Sequence, residues 1–282
     1  MKLLAIVFKF ILKIKPLRKH YFGIYKKFIL PKKIFSKTNF ITKYDSTLKI
    51  KVNLSDWIQQ QIFFLDYSDI NGISFLKKTL KKDNVFIDIG ANIGAYTLIA
   101  SKLVEKTGMV IAFEPVNTIN KMLIENIMMN DLTNITVEKK AVYDQNTNLE
   151  LFISNEQNMG MSSILNHSHE SGEKQKIEAI TLDNYVQLKK LAKIDLVKID
   201  IEGAEIHALK GMKQSLVKFK PTLIIEISDG ILENSSVKSN AIYDFLFDLN
   251  YVPYNIDEKG NIKDFSSKDI NYHNYIFLTK SN

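Results

Sequence analysis

The sequence predicts an α/β protein built on a doubly wound parallel sheet. Short apolar runs rich in β-branched residues alternate with helical segments from residue 85 onward, which is the pattern of strands joined by crossover helices. The first run, Val85–Ile89, leads directly into a glycine-bearing turn, Gly90–Gly94, and then into a helix. A strand that ends in such a turn is typical of a nucleotide-binding βα corner. A chain of 282 residues can bury one substantial core, so we expect one main domain.

The apolar runs and their spacing define the expected elements in order. Seven strands are expected near residues 85–89, 109–114, 134–138, 194–200, 222–227, 250–254 and 274–279, with helices near 94–106, 117–130, 203–217 and 238–249. Residues 144–180 interrupt this rhythm with polar clusters, and we interpret them as an insertion where a substrate lid could lie. Ahead of the sheet, residues 40–54 alternate weakly in hydrophobicity, as a strand pair does, and a capped helix follows. We therefore expect a basic helical and strand extension over 1–54 and a main domain over 55–282.

The composition restricts the kinds of protein that the chain can be. It contains no cysteine, which excludes disulfides and cysteine-based metal sites. The formal charge is +7, and much of the excess lies in the first 51 residues, where fourteen lysines and arginines face Asp45 alone. The apolar stretch there is broken by Lys9 and Lys13, so it is too interrupted to span a bilayer, and it has no signal-peptide cleavage site.

Two interpretations of this basic N-terminal segment stay open. A basic segment with an apolar face can lie on an anionic membrane surface, or it can pack on the core as a helix with its lysines in water. Nucleic acid is not expected as a partner, because no recognised binding module or aromatic platform accompanies the basic residues. The lack of an export signal predicts a cytoplasmic protein, which under the first interpretation is peripheral at the inner membrane face.

The turn after the first strand has the chemistry of a cofactor site. Gly90 lets the backbone turn with a ligand close by, and Gly94 opens the following helix. The next strand ends in Glu114, about 20 residues further on, where a ribose-binding carboxylate belongs in such folds. An ordinary strand-to-helix turn and a dinucleotide-dependent oxidoreductase or epimerase are the alternatives. The missing middle glycine of G-x-G-x-x-G counts against the oxidoreductase.

Three further strings accompany the turn sequence Asp88–Gly94. They are Glu114-Pro115 followed by Leu123, Asn126 and Asn130; Gly160-Met161-Ser162-Ser163; and Lys198-Ile199-Asp200-Ile201-Glu202-Gly203-Ala204-Glu205. Together these strings resemble the FkbM family of S-adenosylmethionine-dependent methyltransferases, over residues 48–230. The resemblance implies a seven-stranded, Rossmann-like class I methyltransferase sheet with S-adenosylmethionine as its cofactor. It also implies methyl transfer to a hydroxyl, in a sugar of a bacterial glycan or its precursor.

Carried over residue by residue, the resemblance implies a set of cofactor contacts. The residues that would surround the methionine part are Asp88, Gly90, Ala91, Asn92 and Gly94. Glu114 would accept hydrogen bonds from the ribose hydroxyls, and Ala141 and Val142 would place backbone groups against the adenine edge. The physical chemistry agrees, because amides at a helix start can meet the cofactor's carboxylate and a nearby acid can meet its ammonium.

Transfer to a hydroxyl needs a base, because an alcohol is a poor nucleophile until its proton leaves. Lys198 and Asp200 share one side of a strand, Glu202 follows at its carboxyl end, and Glu226 would end the adjacent strand. We expect Asp200, with Glu202 or Glu226, to orient or deprotonate the acceptor hydroxyl. We expect Lys198 to hold a carboxylate or a substrate oxygen.

Other interpretations of these residues stay open. The lysine and its aspartate could be a buried pair that serves the fold. The three carboxylates could together hold Mg²⁺, so a divalent metal is an unproven addition to the cofactor. His207 is a second candidate base, whereas His167 and His169 are expected to be solvated loop residues rather than metal ligands. A non-catalytic, membrane-associated glycan-binding protein that keeps the cofactor fold is also compatible with the sequence.

Overall fold

In the computed structural model of the chain, the described residues are 1–153, 174–227, 239–265 and 274–280. They form two compact units, residues 1–69 and the described residues from 70 onward. The first unit takes in the predicted extension together with the helix that follows it. The Gly160-Met161-Ser162-Ser163 string lies outside the described residues.

The N-terminal unit begins with helices and then carries a two-stranded sheet. Its elements are α1 (Lys2–Ile11), α2 (Lys15–Lys19), α3 (Tyr21–Ile24), a π-helical turn (Tyr25–Ile29), β1 (Asn39–Tyr44), β2 (Leu48–Asn53) and α4 (Trp57–Leu65). β1 and β2 are the predicted strand pair and run antiparallel. The Asp56 carboxylate accepts a hydrogen bond from the Gln59 N–H at 2.9 Å and so caps α4. Among the described residues, no helix combines the length and apolar content that crossing a bilayer requires.

The second unit is built around an eight-stranded sheet. Its elements are α5 (Ile70–Thr79), β3 (Val85–Ile89), α6 (Ala95–Val104), β4 (Met109–Phe113), α7 (Asn117–Met128), β5 (Ile135–Glu138), β6 (Ala141–Val142), β7 (Thr147–Phe152), β8 (Lys174–Ile180), α8 (Leu182–Lys189), β9 (Leu196–Ile199), α9 (Glu205–Lys210), α10 (Lys213–Phe219), β10 (Thr222–Glu226), α11 (Ser239–Asp248), β11 (Tyr251–Ile256), β12 (Ile262–Asp264) and β13 (Asn274–Thr279). The strand order is β12-β11-β13-β10-β9-β3-β4-β5, which contains all the predicted strands and adds β12 at one edge.

The large sheet is parallel from β10 to β5 and antiparallel at its other edge. β9 lies between β3 and β10, with Lys198 opposite Asp88 on one side and Ile224 on the other. β13 pairs antiparallel with β10 and with β11, and β11 pairs antiparallel with β12. The expectation of a parallel sheet holds for β10 to β5 and not for this edge, because no crossover helix separates β11 from β13 in the described residues between them.

The main core covers one face of the central strands. Ile87 and Ile89 of β3 and Val197 and Ile199 of β9 belong to one buried apolar cluster. The residues that alternate with them, including Lys198, therefore point to the opposite face. The charged side chains of these buried strands thus lie together on one side of the sheet.

The described residues of the predicted insertion over 144–180 form two strands. β7 and β8 pair antiparallel, and β6 pairs parallel with β8, which makes a separate three-stranded sheet. Side chains along most of β7 alternate between half-buried and exposed positions. Its polar residues occupy the exposed positions of a real strand, and for that reason the composition resembled a loop.

The helix expected over 203–217 is two helices, α9 and α10. Asp183, in α8, accepts hydrogen bonds from the Gln214 N–H at 2.9 Å and the Ser215 N–H at 2.7 Å. This carboxylate supplies the N-terminal cap of α10 from another helix. A cap that comes from a distant part of the chain leaves no local signal in the sequence.

Candidate functional site

The turn between β3 and α6 starts from a buried carboxylate. Asp88 is 1% exposed, and its Oδ2 accepts a hydrogen bond from the Thr97 hydroxyl at 2.5 Å. Its Oδ1 is buried without a hydrogen-bond partner in the part of the chain that the structure describes. Burial raises the pKa of Asp88, whereas the Lys198 charge and the Thr97 hydrogen bond lower it. A buried acceptor of this kind is an atom that the donor of a bound ligand would satisfy.

The glycines of this turn are required by neighbouring parts of the chain. Gly90 has φ +83°, and a Cβ there would lie 1.9 Å from the Asp200 carbonyl oxygen. Gly94, the N-cap of α6, has φ +98°, and a Cβ there would lie 2.7 Å from Leu123 Cδ1. Asn92 also has a positive φ, of 51°. The backbone after β9 thus leaves no room for a Cβ at Gly90, and the close approach of a ligand to this glycine stays a prediction.

Glu114, directly after β4, is tied to the same turn. It is buried, with Oε2 accepting the Asn92 N–H and Oε1 accepting the Val116 N–H, each at 2.9 Å. Burial raises its pKa to about 7, although the two backbone hydrogen bonds lower it. The buried Ala91 donates its N–H to the Phe113 carbonyl at 3.0 Å. The predicted ribose acid and the predicted methionine-binding turn therefore lie side by side.

Lys198 is a buried ammonium surrounded by carboxylates. The residue is 4% exposed, and its Nζ lies 2.7 Å from Asp200 Oδ2 and 4.8 Å from the Tyr96 ring centroid. Desolvation lowers its pKa, but the charges of Asp200 and Asp88 outweigh this effect and raise the pKa to about 12. Lys198 is therefore charged at neutral pH and holds one oxygen of Asp200.

Two further carboxyl groups lie near Asp200. The register that pairs Ile225 with Ile199 puts Glu226, at the end of β10, beside Asp200. Burial and the Asp200 charge raise the pKa of Glu226 well above its ordinary value. The same two causes raise the pKa of Glu202 to about 8. Glu202 therefore keeps its proton near pH 7, unlike an ordinary surface carboxylate, and the protonated form of Glu226 is favoured in the same direction. The predicted catalytic residues thus form one cluster.

Glu205 organises the loop after β9, a role that the sequence did not reveal. Its Oε1 accepts hydrogen bonds from the Gly203 N–H at 3.0 Å and the Ile201 N–H at 3.3 Å. Between these two residues, Glu202 adopts a left-handed φ of 53°. The final acid of Lys-x-Asp-x-Glu-Gly-Ala-Glu therefore shapes the loop that carries Glu202, and its place in that string was the available signal.

Two asparagines of α7 hold the backbone of the turn between β3 and α6, which is the predicted cofactor turn, and of Glu114 beside it. Asn126 Nδ2 donates to the Ile93 carbonyl at 2.9 Å, and Asn120 Nδ2 donates to the Glu114 backbone carbonyl at 2.8 Å. Both asparagines are buried. Asn126 belongs to a string that carried the family resemblance, whereas Asn120 was missed. A polar residue on the inward side of a helix is the signal for both.

Ala141 and Val142 are not brought into the same sheet as the other predicted residues. They form β6, which pairs with Ala179 and Ile180 of β8 in the small sheet. Val142 also packs in the main apolar cluster. Their contact with adenine stays a prediction.

His207 is paired outside the carboxyl cluster. Its Nδ1 lies 2.6 Å from Asp144 Oδ2, and its ring stacks on Tyr143 with 4.5 Å between centroids. Among the described residues, no group of three or more histidine, cysteine or acidic side chains is arranged to hold a metal ion. A metal held by Asp200, Glu202 and Glu226 stays an untested alternative. His167 and His169 lie outside those residues.

Known proteins match this chain over the region that carries the site. The protein-family model described as the methyltransferase FkbM domain matches residues 88–253. The AMB antimetabolite synthetase AmbE of Pseudomonas aeruginosa is 23% identical over 231 residues, which are 70% of this chain and 10% of AmbE. Methyltransferase 1 of Beauveria bassiana is 20% identical over 168 residues, which are 52% of this chain and 66% of that protein. The chain therefore spans only part of each of these two relatives. The crystal structure of Methyltransferase FkbM from Methylobacillus flagellatus aligns at a TM-score of 0.46 and 14% identity, covering 78% of this chain and 54% of that one.

Proposed function

This chain belongs to the methyltransferase FkbM family, and we propose that it transfers the methyl group of S-adenosylmethionine to a hydroxyl in a sugar of a bacterial glycan or its precursor. The observation that carries the proposal is the contact between two features. The turn held by Glu114 and Asn92 meets the strand end of Asp200 and Lys198 where Gly90 packs on the Asp200 carbonyl. Because the chain belongs to a methyltransferase family, we do not pursue the oxidoreductase and non-catalytic alternatives.

The residues around the turn suit the charges of S-adenosylmethionine, which when bound supplies an electrophilic methyl group on its sulfonium. The buried Oδ1 of Asp88 would accept a donor of the cofactor's ammonium. The carboxylate of Glu114 has lone pairs beyond the two that backbone N–H groups use, and these would accept the ribose hydroxyls. The positive end of α6 would face the cofactor's carboxylate, while the Asn92 N–H stays with Glu114. Contact of Ala141 and Val142 with the adenine belongs to the same proposal.

The carboxyl cluster favours an uncharged acceptor group. Four carboxyl groups surround one ammonium; they are those of Asp88, Asp200, Glu202 and Glu226, around Lys198. Sugar hydroxyls can donate hydrogen bonds to these groups and accept them, whereas a phosphate would find a single ammonium, Lys198, that Asp200 already holds. In a lipid-linked or nucleotide-linked precursor, the phosphate would therefore lie away from this cluster.

Within the cluster, Asp200 would take the proton of the acceptor hydroxyl as the oxygen attacks. Lys198 fixes the orientation of Asp200 through one carboxylate oxygen at 2.7 Å. Burial raises the pKa of Glu202 and Glu226, and in their protonated forms both would donate hydrogen bonds that position the acceptor. Since a buried ion pair contributes little to stability compared with packed apolar residues, its place at a strand end favours function over a purely structural role.

The test is a transfer assay with isotopically labelled S-adenosylmethionine against glycans extracted from the source cells, with RNA from the same cells as a second acceptor. Label found at a sugar hydroxyl supports the proposal, and label found only in RNA would refute the acceptor class. Calorimetry with S-adenosylmethionine, and with NAD as the control, tests the cofactor separately. Two expectations stay predictions: that nucleic acid is not the acceptor, and that the protein is cytoplasmic.

A further inference from the structure

We propose that the N-terminal unit docks on an anionic membrane surface through α1. One side of this helix packs on the rest of the unit: Ala5 and Leu12 are buried, and the Phe8 ring meets the Phe64 ring edge-on with 5.3 Å between centroids. This side of the helix packs as the second of the two sequence interpretations predicted. The other side of α1 is the docking surface.

Large apolar side chains cover that other side and face water. Leu3, Val7 and Phe10 follow one another at intervals of four and three residues, so they share a side of the helix. At 3.6 residues per turn, this side is opposite Ala5 and Leu12. Leu3 is 75% exposed, Phe10 70% and Val7 47%. We call these three residues the apolar face of α1.

The charge of the unit selects the partner. Residues 1–69 contain fourteen lysines and arginines against four aspartates, whereas the rest of the chain has 24 basic and 27 acidic residues. On α1 and just after it, Lys2 and Lys13 are exposed beside the apolar face, and Lys13 Nζ lies 5.3 Å from the Phe10 ring centroid. A second copy of the unit would bring the same positive charge to the contact. Anionic lipid headgroups neutralise that charge, and acyl chains receive the apolar side chains.

Two more exposed aromatic rings in the unit each have a lysine ammonium beside them. Phe22 and Phe28 are each about half exposed. Lys26 Nζ lies 4.5 Å from the Phe22 ring centroid, and Lys27 Nζ lies 5.7 Å from that of Phe28. An apolar body with a cation beside it suits the boundary between acyl chains and headgroups.

The test is co-sedimentation of the full chain with vesicles of phosphatidylcholine alone and of phosphatidylcholine with added phosphatidylglycerol. Two double variants remove the apolar or the basic side chains, and two matched controls change exposed residues of the same kind in the second unit. They are Leu3→Ser with Phe10→Ser, Lys2→Glu with Lys13→Glu, Leu188→Ser with Val217→Ser, and Lys102→Glu with Lys106→Glu.

The wild type and both controls should bind the anionic vesicles and not the neutral ones. Each apolar substitution on α1 should lower the partition coefficient about tenfold, because one large apolar side chain is no longer transferred from water into the membrane. The charge variant should bind weakly even at low salt. Equal binding of all variants, or no binding by the wild type, would overturn the proposal. The proposal would also be overturned if the wild type does not bind vesicles but forms a dimer in sedimentation equilibrium, and the apolar variant is monomeric. The partner of the apolar face would then be a second copy of the chain.

Discussion

Replacing Asp200 by Asn should lower methyl transfer by about a hundredfold or more, the usual effect of removing a general base. Asn keeps the size of the side chain and removes its charge and most of its basicity. Cofactor affinity should not change, because Glu114 and Asn92, the contact at the other end of the site, are untouched. This separation between binding and transfer is what distinguishes a base from a residue that only shapes the turn.

The same substitution has a cost in stability that the structure defines. Lys198 is buried, and its Nζ loses the carboxylate that lies 2.7 Å away. Removing one partner of a fully buried pair typically costs about 3 kcal/mol, and because the Asp200 side chain is 30% exposed, the cost here should be smaller. The double variant Asp200→Asn with Lys198→Met removes both charges, and the remaining Asp88 can take up a proton, since burial already raises its pKa. Stability should therefore recover in the double variant while transfer stays low.

The assay is single-turnover transfer of label to an identified acceptor, at a temperature well below the unfolding midpoint of each variant. Calorimetry with S-adenosylmethionine and thermal unfolding by circular dichroism complete the comparison. Near-normal transfer by folded Asp200→Asn would refute the reasoning, and the base would then be sought at Glu202 or Glu226. Transfer by the wild type should survive EDTA, and its loss on chelation would assign the aspartate to a metal instead.

Three further predictions concern the cofactor turn. Glu114→Ala should weaken S-adenosylmethionine binding by about 1.5–3 kcal/mol in calorimetry, as loss of a hydrogen bond to a charged group does; unchanged affinity would mean that Glu114 does not bind the ribose. The free energy of unfolding of the wild type should fall by about 3 kcal/mol between pH 4.5 and about 7, because the folded chain keeps the Glu114 proton over this interval and the unfolded chain loses it. Glu114→Gln carries no such proton and should not show this fall. Parallel curves of stability against pH for wild type and variant, measured by unfolding in urea, would contradict this. Gly90→Ala should cost more than about 2 kcal/mol, from the positive φ and the clash with the Asp200 carbonyl; the control Gly23→Ala, whose Cβ meets nothing within 4 Å, should be near neutral, and equal stabilities would contradict the clash.

The strands that could be predicted are those whose burial shows in their own residues. Val85–Ile89 and Thr222–Glu226 are short apolar runs with polar flanks, and the structure places both in the large sheet. β7 and β8 are half-solvated, so their composition carried no such signal. The break between α9 and α10 depends on Asp183, which is about thirty residues away in the chain. Local patterns report local burial and cannot report a cap that folding brings from elsewhere.

The residues of the candidate site also divide into those that the sequence could predict and those that it could not. Residues at the carboxyl ends of parallel strands meet at one sheet edge whatever their separation in sequence, and this rule was enough to bring Asp200 beside Glu226. Residues that hold the backbone through side-chain hydrogen bonds follow no such rule. Glu205 holds the loop after β9 and Asn120 holds the Glu114 carbonyl, and only the folded chain shows which groups they reach.

Gly90 shows how the two halves of the site depend on each other. The sequence indicated that this glycine serves the turn and leaves room for a ligand, and in the structure the atom that excludes a side chain is the Asp200 carbonyl oxygen. The Asp200 N–H in turn donates to the Ile89 carbonyl at 3.0 Å. Any side chain at position 90 would therefore push the cofactor turn and the proposed base apart together. If the proposed roles hold, partly folded Gly90→Ala protein should lose methyl transfer more steeply than cofactor affinity, since in-line attack depends on the distance between these two elements and binding depends on the turn alone.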